Sequence, residues 1–286
     1  MTIVVNIIGA GQVGKTLGHL LVKHQLAQVG AICNTSPAST FAAINFIGEG
    51  QLSPTIEQLT EADMIFITTP DALIATAADA FSKNKAIKKG TIVLHCSGAR
   101  SSDELHVLKS KGCLVASVHP MRSFAEPILS VANYSGTYCA MEGDVEALAH
   151  IEPLFNGIGS ITYTIDKHKK ALYHMAGVFA SNYLVTLSEQ AQSCLRAAGV
   201  HHEMAMRVVT NLMQGTVANL EKTLSPRDAL TGPIQRGDTS SIIQHMASLT
   251  DNEQKKLYSL LGKLTLPLTS HDEVKKISIE AALLSS

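Results

Sequence analysis

Short apolar runs alternate with helix-like patterns over the first 165 residues. Residues 3–8 form a continuous apolar run, which is typical of a strand buried on both faces of a sheet. Further apolar runs predict strands at residues 29–33, 64–68, 91–96, 114–118, 137–141 and 161–165. Helical patterns lie between them, at residues 13–26, 37–46, 72–81, 102–111 and 145–155. This alternation predicts an α/β domain with a mostly parallel, doubly wound sheet.

The strand signals stop at residue 166, and the rest of the chain is predicted to be helical. Residues 167–198 form one pattern of about eight turns, and further helices are predicted at residues 201–224, 240–249 and 252–261. We therefore predict a Rossmann domain at residues 1–165 and an all-α domain at residues 166–286. The long helix is apolar over residues 171–187, but it carries His174, Ser181 and Asn182 there. Those polar groups indicate a buried helix and not a membrane span.

Composition argues against several classes of protein. The 286 residues are 45% hydrophobic and 16% charged, with a net charge of −1, so the chain can bury a sizeable core. There is no cluster of Lys and Arg for phosphate binding and no Trp, so nucleic acid is not an expected partner. The five cysteines lack a CxxC pair, no residue set has metal-ligand spacing, and the N-terminus lacks the basic residues of a secretion signal. We expect a cytoplasmic protein without a metal.

A glycine motif directly follows the first predicted strand. Gly9, Gly11 and Gly14 fit the pattern GxGxxG between a strand and a helix. In that context the first glycine permits a tight turn, the second lets a pyrophosphate approach the backbone, and the third packs helix against strand. The predicted cofactor-binding loop comprises Gly9, Ala10, Gly11, Gln12, Val13 and Gly14. The alternative is a strand–helix turn without a ligand.

The turn after the second predicted strand indicates which dinucleotide is bound. About 20 residues after the glycines, an acidic residue would accept a hydrogen bond from the ribose 2′-hydroxyl of NAD. This chain has Asn34, Thr35 and Ser36 there, and their neutral donors can bind a 2′-phosphate. The pattern therefore favours NADP over NAD. Because no Arg or Lys stands nearby, an ordinary polar turn is the alternative.

Six segments, in order over nearly the whole chain, carry a family resemblance. They are IIGAGQVG at 7–14, TTPD at 68–71, HCSGA at 95–99, HPMRSF at 119–124, YHMAGVFASNYL at 173–184 and ALTGPIQRGD at 229–238. They resemble the 6-phosphogluconate dehydrogenase-like superfamily, and within it a bacterial Rossmann-like family with proposed NADP oxidoreductase activity. The resemblance implies an NADP-binding Rossmann domain. It also implies a helical domain of the 6-phosphogluconate dehydrogenase C-terminal type, which contributes to substrate binding and pairs two subunits.

The start of the long helix is where the resemblance implies catalysis. In related hydroxyacid dehydrogenases, a Lys and, four residues later, an Asn face the substrate. Here Lys170 matches the Lys, and His174 stands where the Asn would be, on the same helical face. His174 could give or take a proton, and Asn182, about two turns further on, is a candidate substrate contact. The alternatives are a solvated charged run for Lys170 and a hydrogen-bonded core histidine for His174.

A second candidate base is His119, which with Pro120 follows the predicted strand at residues 114–118. Ligands of open α/β sheets bind along the carboxyl edge of the strands. A similar His–Pro pair occurs in prephenate dehydrogenases, where the histidine is catalytic. Arg122 is a candidate contact for an anionic substrate. Alternatively, Pro120 ends the strand and His119 bonds only to the backbone.

Two turns at the same sheet edge and one break between helices supply the remaining candidates. Thr69 and Pro70 follow one strand and Ser97 follows another, so we expect them to contact the cofactor, with Ser97 also able to bond to the substrate. Ordinary turn chemistry is the alternative. Arg236 could clamp a substrate carboxylate, whereas Asp238 is expected to cap the next helix.

These features predict an oxidoreductase that transfers hydride between the nicotinamide of NADP and a small substrate with a keto/hydroxy or imino/amino group. Two alternatives stay open. One is a non-catalytic NADP-binding sensor or interaction protein, an alternative suggested by His174 at the position where the related enzymes have Asn. The other is a deazaflavin-dependent NADP reductase. The long helix is apolar nearly all round, at Leu172, Met175, Val178, Phe179, Leu184 and Leu187. Because one neighbouring layer needs only one stripe, we expect a homodimer through the helical domain.

Overall fold

An eight-stranded sheet forms the centre of the first part of the chain in the computed structural model, which describes residues 2–285. The strands are β1 Val4–Ile8, β2 Gln28–Cys33, β3 Gln51–Leu52, β4 Met64–Ile67, β5 Ile92–His95, β6 Leu114–Pro120, β7 Tyr138–Gly143 and β8 Ile161–Thr164. Their order is β3-β2-β1-β4-β5-β6-β7-β8. Every neighbouring pair is parallel except β6 and β7. The predicted mostly parallel, doubly wound sheet is confirmed.

Both faces of this sheet are buried, which explains the continuous apolar runs in the sequence. In β4, Met64 and Phe66 pack into one core while Ile65 and Ile67 pack into the other. Helices flank the sheet. The helices of this part of the chain are α1 Gln12–Lys23, α2 Pro37–Ile47, α3 Ile74–Phe81, α4 His106–Lys109, α5 Pro127–Ala132, α6 Val145–Gly157 and α7 Lys170–Gly177. Successive side chains of a strand point to opposite faces, so each core receives alternate residues.

The second part of the chain is helical, as predicted. Its helices are α8 Tyr183–Ala197, α9 His202–Glu221, α10 Pro233–Arg236, α11 Thr239–Ser248, α12 Asn252–Thr265 and α13 Glu273–Leu283. A small core joins α11 to α13 through Ile242, Ile279 and Leu283. None of the helices described over residues 2–285 combines the length and the apolar character that a membrane crossing requires.

The predicted long helix is present, with an interruption. A 3-10 turn at Lys167–Lys169 leads into α7, and a π-helical segment, Val178–Asn182, joins α7 to α8. Such π-helical segments are frequent at functional sites. By its internal packing the chain divides into two compact units after Ala180, inside this helical run. The start of the long helix therefore belongs to the same compact unit as the sheet.

Candidate functional site

The glycine loop between β1 and α1 is held by the sheet around it. Gly9 has a φ of 80°, and a Cβ there would lie only 3.0 Å from the Cα of Thr69. A Cβ at Gly14 would collide with the hydroxyl of Thr68. A Cβ at Gly11, by contrast, would meet no atom closer than the Gly9 carbonyl at 3.9 Å. The protein's own packing therefore explains two of the glycines and leaves the space beside Gly11 open.

The first turn of α1 adjoins that open space. Gly11 is the N-cap, and no side chain caps the helix. The first amide groups of a helix have no partner within it and attract anions. The side-chain amide of Gln12 is engaged elsewhere, since it donates to the carbonyl of Ala125 at 3.1 Å. The loop and the helix start can thus accept a phosphate group.

A cavity of ≈ 330 Å³ lies beside the glycine loop. Its lining is Ile8, Gly9, Cys33, Asn34, Thr35, Thr55, Ile56, Glu57, Thr69, Leu73, Thr76, Ala77 and Ala80. The hydroxyl of Thr69 is buried and has no hydrogen-bond partner. Buried polar atoms are nearly always bonded, so this hydroxyl is available to a group bound in the cavity. The mostly apolar walls fit an adenosine moiety, and the residues present therefore fit a dinucleotide.

Two residues of the predicted selector turn, Asn34 and Thr35, line this cavity, and Ser36 does not. The side-chain oxygen of Asn34 accepts from the amide of Ala10 at 2.6 Å, and its nitrogen donates to the carbonyl of Ser39 at 3.0 Å. Ser36 caps α2 by accepting from the amide of Ser39. Asn34 and Ser36 thus hold the backbone in place. Thr35 is exposed and lines the cavity.

Lys170, the predicted base, is buried and does not face solvent. Only 3% of its side chain is exposed. Its ammonium donates to the Ser97 carbonyl at 2.8 Å and to the Ser117 hydroxyl, and it lies 3.5 Å from a carboxylate oxygen of Glu142. Glu142 in turn accepts from the amide and hydroxyl of Ser102 at 2.8 and 2.7 Å. This buried ion pair holds the loop that follows β5.

Two histidines lie against Gly98 in that loop, and a tyrosine bonds to one of them. A Cβ at Gly98 would lie 2.8 Å from Cε1 of His119 and 2.9 Å from Nδ1 of His174. Nδ1 of His119 shares a 2.8 Å hydrogen bond with the hydroxyl of Tyr173. The His119 and His174 rings are 6.3 Å apart between centroids. Glycine at position 98 therefore leaves room for both imidazoles.

The electrostatic environment keeps His119 uncharged. Burial lowers its pKa to about 4, and the positive charges of Lys170 and His174 contribute to the lowering. Burial also lowers the pKa of Lys170, although Glu142 opposes that shift. At neutral pH His119 thus offers one N–H and one lone pair. His174 is exposed.

For other predicted residues the structure differs from what the sequence suggests. His119 and Pro120 lie inside β6 and not after it, paired with Ala140 and Cys139 of β7. The strand continues because β7 runs antiparallel beside it, which the apolar pattern does not reveal. The Ser97 hydroxyl is already engaged, donating to Asp71 at 2.7 Å and accepting from the Arg100 amide at 2.9 Å.

The remaining candidates are spread over both units. Arg122 approaches the Thr137 hydroxyl at 3.5 Å, and Pro70 precedes the 3-10 turn before α3. Asn182 ends the π-helical segment and Arg236 is exposed at the end of α10, both in the second unit. Asp238 caps α11, as predicted, by accepting from the Ser241 amide. Within residues 2–285, no His, Cys, Asp or Glu side chains form a group of three suited to a metal.

Comparison with known families decides the kind of protein. Residues 1–120 match the Rossmann-like domain, and residues 137–265 match a domain of unknown function, DUF2520. The chain thus carries a Rossmann-like domain followed by a DUF2520 domain. This pair fits the 6-phosphogluconate dehydrogenase-like superfamily, as the sequence predicts. The DUF2520 match begins at the end of the sheet and continues to the end of α12, so it spans part of both compact units. No curated protein matches the sequence.

Solved structures share the fold of this chain. A proposed NADP oxidoreductase from Bacteroides fragilis has a TM-score of 0.74 at 18% identity, over 93% of this chain and 98% of its own. Protein TM1727 from Thermotoga maritima has a TM-score of 0.70 at 24% identity, over 97% and 98%. Plasmodium falciparum pyrroline carboxylate reductase with NADP bound has a TM-score of 0.59 at 14% identity, over 98% and 95%. At these identities the likeness concerns the fold.

Proposed function

We propose that the protein is an NADP-dependent oxidoreductase acting on a small substrate with a keto/hydroxy or imino/amino group. The observation that carries the proposal is the open space at Gly11. It lies beside a cavity with an orphaned Thr69 hydroxyl, in the same compact unit as the groups around Gly98. A reductase of pyrroline carboxylate with bound NADP and an imine reductase with NAD⁺ share the fold, which supports this reaction class.

The cofactor is held, in this proposal, by three parts of the Rossmann domain. The amides of the glycine loop and the start of α1 bind the pyrophosphate, and the cavity containing Thr69 takes the adenosine. We propose a preference for NADP because the exposed turn at Thr35 offers a hydroxyl and no carboxylate. When bound, the nicotinamide supplies or accepts the hydride.

The chain's own residues then handle one proton. His174 is exposed and acts as the acid or base that exchanges the proton with solvent. His119 is neutral, and with Nδ1 bonded to Tyr173 it presents Nε2 toward Gly98, where it hydrogen-bonds the reacting oxygen or nitrogen. Lys170 positions the loop of Ser97 and Gly98 through its buried bonds and places a positive charge beneath it.

Assembly and location form part of the same proposal. Large apolar side chains are exposed along α8 and α9, at Leu184, Val185, Met204, Met206, Val208, Leu212, Val217 and Leu220. Many exposed apolar side chains on neighbouring helices favour an interaction surface, and we propose a homodimer formed through the helical unit. The five free cysteines support a cytoplasmic location.

The NADPH affinity of the variant Gly11→Ala tests the site. A methyl group fits at position 11 in the protein itself, so we expect an unchanged melting temperature and roughly tenfold or greater loss of NADPH affinity, because the pyrophosphate can no longer approach the backbone. Gly215→Ala, in α9 and also without close neighbours, is the matched control. Equal NADPH affinity in wild type and Gly11→Ala would contradict the assignment of this loop.

A further inference from the structure

The cavity beside the glycine loop has a single formally charged residue among its described lining residues. That residue is Glu57, in the 3-10 turn Ile56–Gln58 between β3 and β4. No Lys or Arg is part of this lining. Among its lining residues, the cavity that fits an adenosine thus has one carboxylate and no positive charge. Outside the lining, Asp79 and to a lesser extent Glu57 raise the pKa of Lys83, so the Glu57 charge is partly balanced from that side.

Glu57 and Thr35 reach this cavity from different elements. Thr35 comes shortly after β2, whereas Glu57 comes shortly after β3. Burial raises the pKa of the Cys33 thiol, and the negative charge of Glu57 raises it further. The charge of Glu57 therefore acts at the end of β2. The end of the second strand is where Rossmann domains place the 2′ position of the adenosine ribose. The carboxylate therefore acts on the position that distinguishes NADP from NAD.

We propose that Glu57 is a second determinant of dinucleotide choice, which opposes the 2′-phosphate of NADP and keeps NAD binding competitive. The inference rests on the proposed function. A phosphate monoester carries about two negative charges at neutral pH and is repelled by a carboxylate. The 2′-hydroxyl of NAD, by contrast, can donate a hydrogen bond to it. The Thr35 turn and Glu57 thus act in opposite directions on the same choice.

Paired titrations with NADPH and NADH test this role without any turnover. We expect Glu57→Gln to raise the ratio of NADPH affinity to NADH affinity by about threefold to tenfold, because removing a like charge gains on the order of one kT or more. Glu57→Lys is expected to raise the ratio further. The control is Glu61→Gln, which removes the same charge from an exposed residue that pairs with Lys88 and lies outside the cavity lining. Its ratio is expected to match the wild type.

Salt gives a second readout of the same interaction. Screening weakens the repulsion between Glu57 and a 2′-phosphate, so the difference in NADPH affinity between wild type and Glu57→Gln is expected to shrink as salt is added. An unchanged affinity ratio in folded Glu57→Gln protein, or an equal change in Glu61→Gln, overturns the role of Glu57. A wild-type protein that binds neither dinucleotide contradicts the proposed function itself, which is a different result.

Discussion

The Nδ1 atom of His119 and the hydroxyl of Tyr173 are 2.8 Å apart and share a hydrogen bond between β6 and α7. The two rings meet edge to face, with centroids 5.5 Å apart. This contact fixes the imidazole orientation, so that Nε2 is the ring nitrogen that faces Gly98. The partners are 54 residues apart in sequence, and the tyrosine is thereby part of the candidate site.

Tyr173→Phe tests the value of this bond. The variant keeps the ring packing and removes the hydroxyl, so His119 loses its orientation but the cofactor site is untouched. We expect kcat to fall by roughly 10- to 100-fold, the scale of one or two lost hydrogen bonds, with NADPH affinity unchanged. Tyr138→Phe, at an exposed tyrosine of β7, is the control. Full activity in Tyr173→Phe would remove the tyrosine from the site.

Replacing each histidine separately assigns the proton. His174→Gln is expected to bind NADPH normally and to lose turnover by roughly 10²- to 10⁴-fold, the usual contribution of an acid–base group. His119→Gln is expected to lose less, because a neutral hydrogen-bond donor contributes less than a proton carrier. Steady-state kinetics of both variants provides the measurement. A fully active His174→Gln beside an inactive His119→Gln would reverse the two roles.

Lys170→Met tests whether the buried lysine is a positioning residue. The variant leaves Glu142 buried without its cation, which costs about 3 kcal/mol of unfolding free energy. Chemical denaturation of the single variants Lys170→Met and Glu142→Gln and of the double variant gives the coupling between them. We expect the double variant to lose less unfolding free energy than the two single variants lose together. Lys169→Met, at an exposed lysine, is expected to lose little. Unchanged stability in Lys170→Met would contradict the positioning role.

A buried histidine, His95, and a partly buried one, His119, give the folded protein a defined sensitivity to acid. Burial lowers the pKa of His95 to about 4, as it does for His119. An unfolded histidine takes up its proton near pH 6.5, so only the unfolded state gains protons as the pH falls from 6.5 to 4. We expect the unfolding free energy to fall over that window, by up to roughly 3 kcal/mol per histidine. Urea unfolding at stepped pH measures it, with a shallower slope in His119→Gln. If the slope of unfolding free energy against pH is the same in His119→Gln and in the wild type, groups other than His119 cause the acid sensitivity.

The sheet and the long helix could be predicted from the sequence because both leave strong periodic signals. Strands buried on both faces, such as β4, read as unbroken apolar runs. The two-residue β3 and the short α5 are too brief for a pattern. The missed α13 alternates charged and apolar residues over only 11 positions, which offers a weaker signal than the longer helices.

Only those residues of the candidate site that lie in recognisable sequence motifs could be predicted. Ser97, His119, Lys170 and His174 all follow from motifs, but their partners depend on strand register. Ser117 pairs with Glu142 across the antiparallel β6 and β7, and both contact Lys170. A pattern of apolar residues does not reveal that register, so the burial of Lys170 could not be foreseen. Tyr173 was next to a predicted residue and still carried no separate signal.

Transfer of deuterium from NADPH labelled at C4 tests the central claim most directly. The purified protein is incubated with the labelled cofactor and a panel of cyclic imines and keto acids, and the products are analysed by mass spectrometry. We predict that at least one compound is reduced and carries the label at the carbon of its former C=N or C=O bond, and that His174→Gln forms far less of it. Saturable binding of NADPH without label in any product would contradict an oxidoreductase and support a dinucleotide sensor.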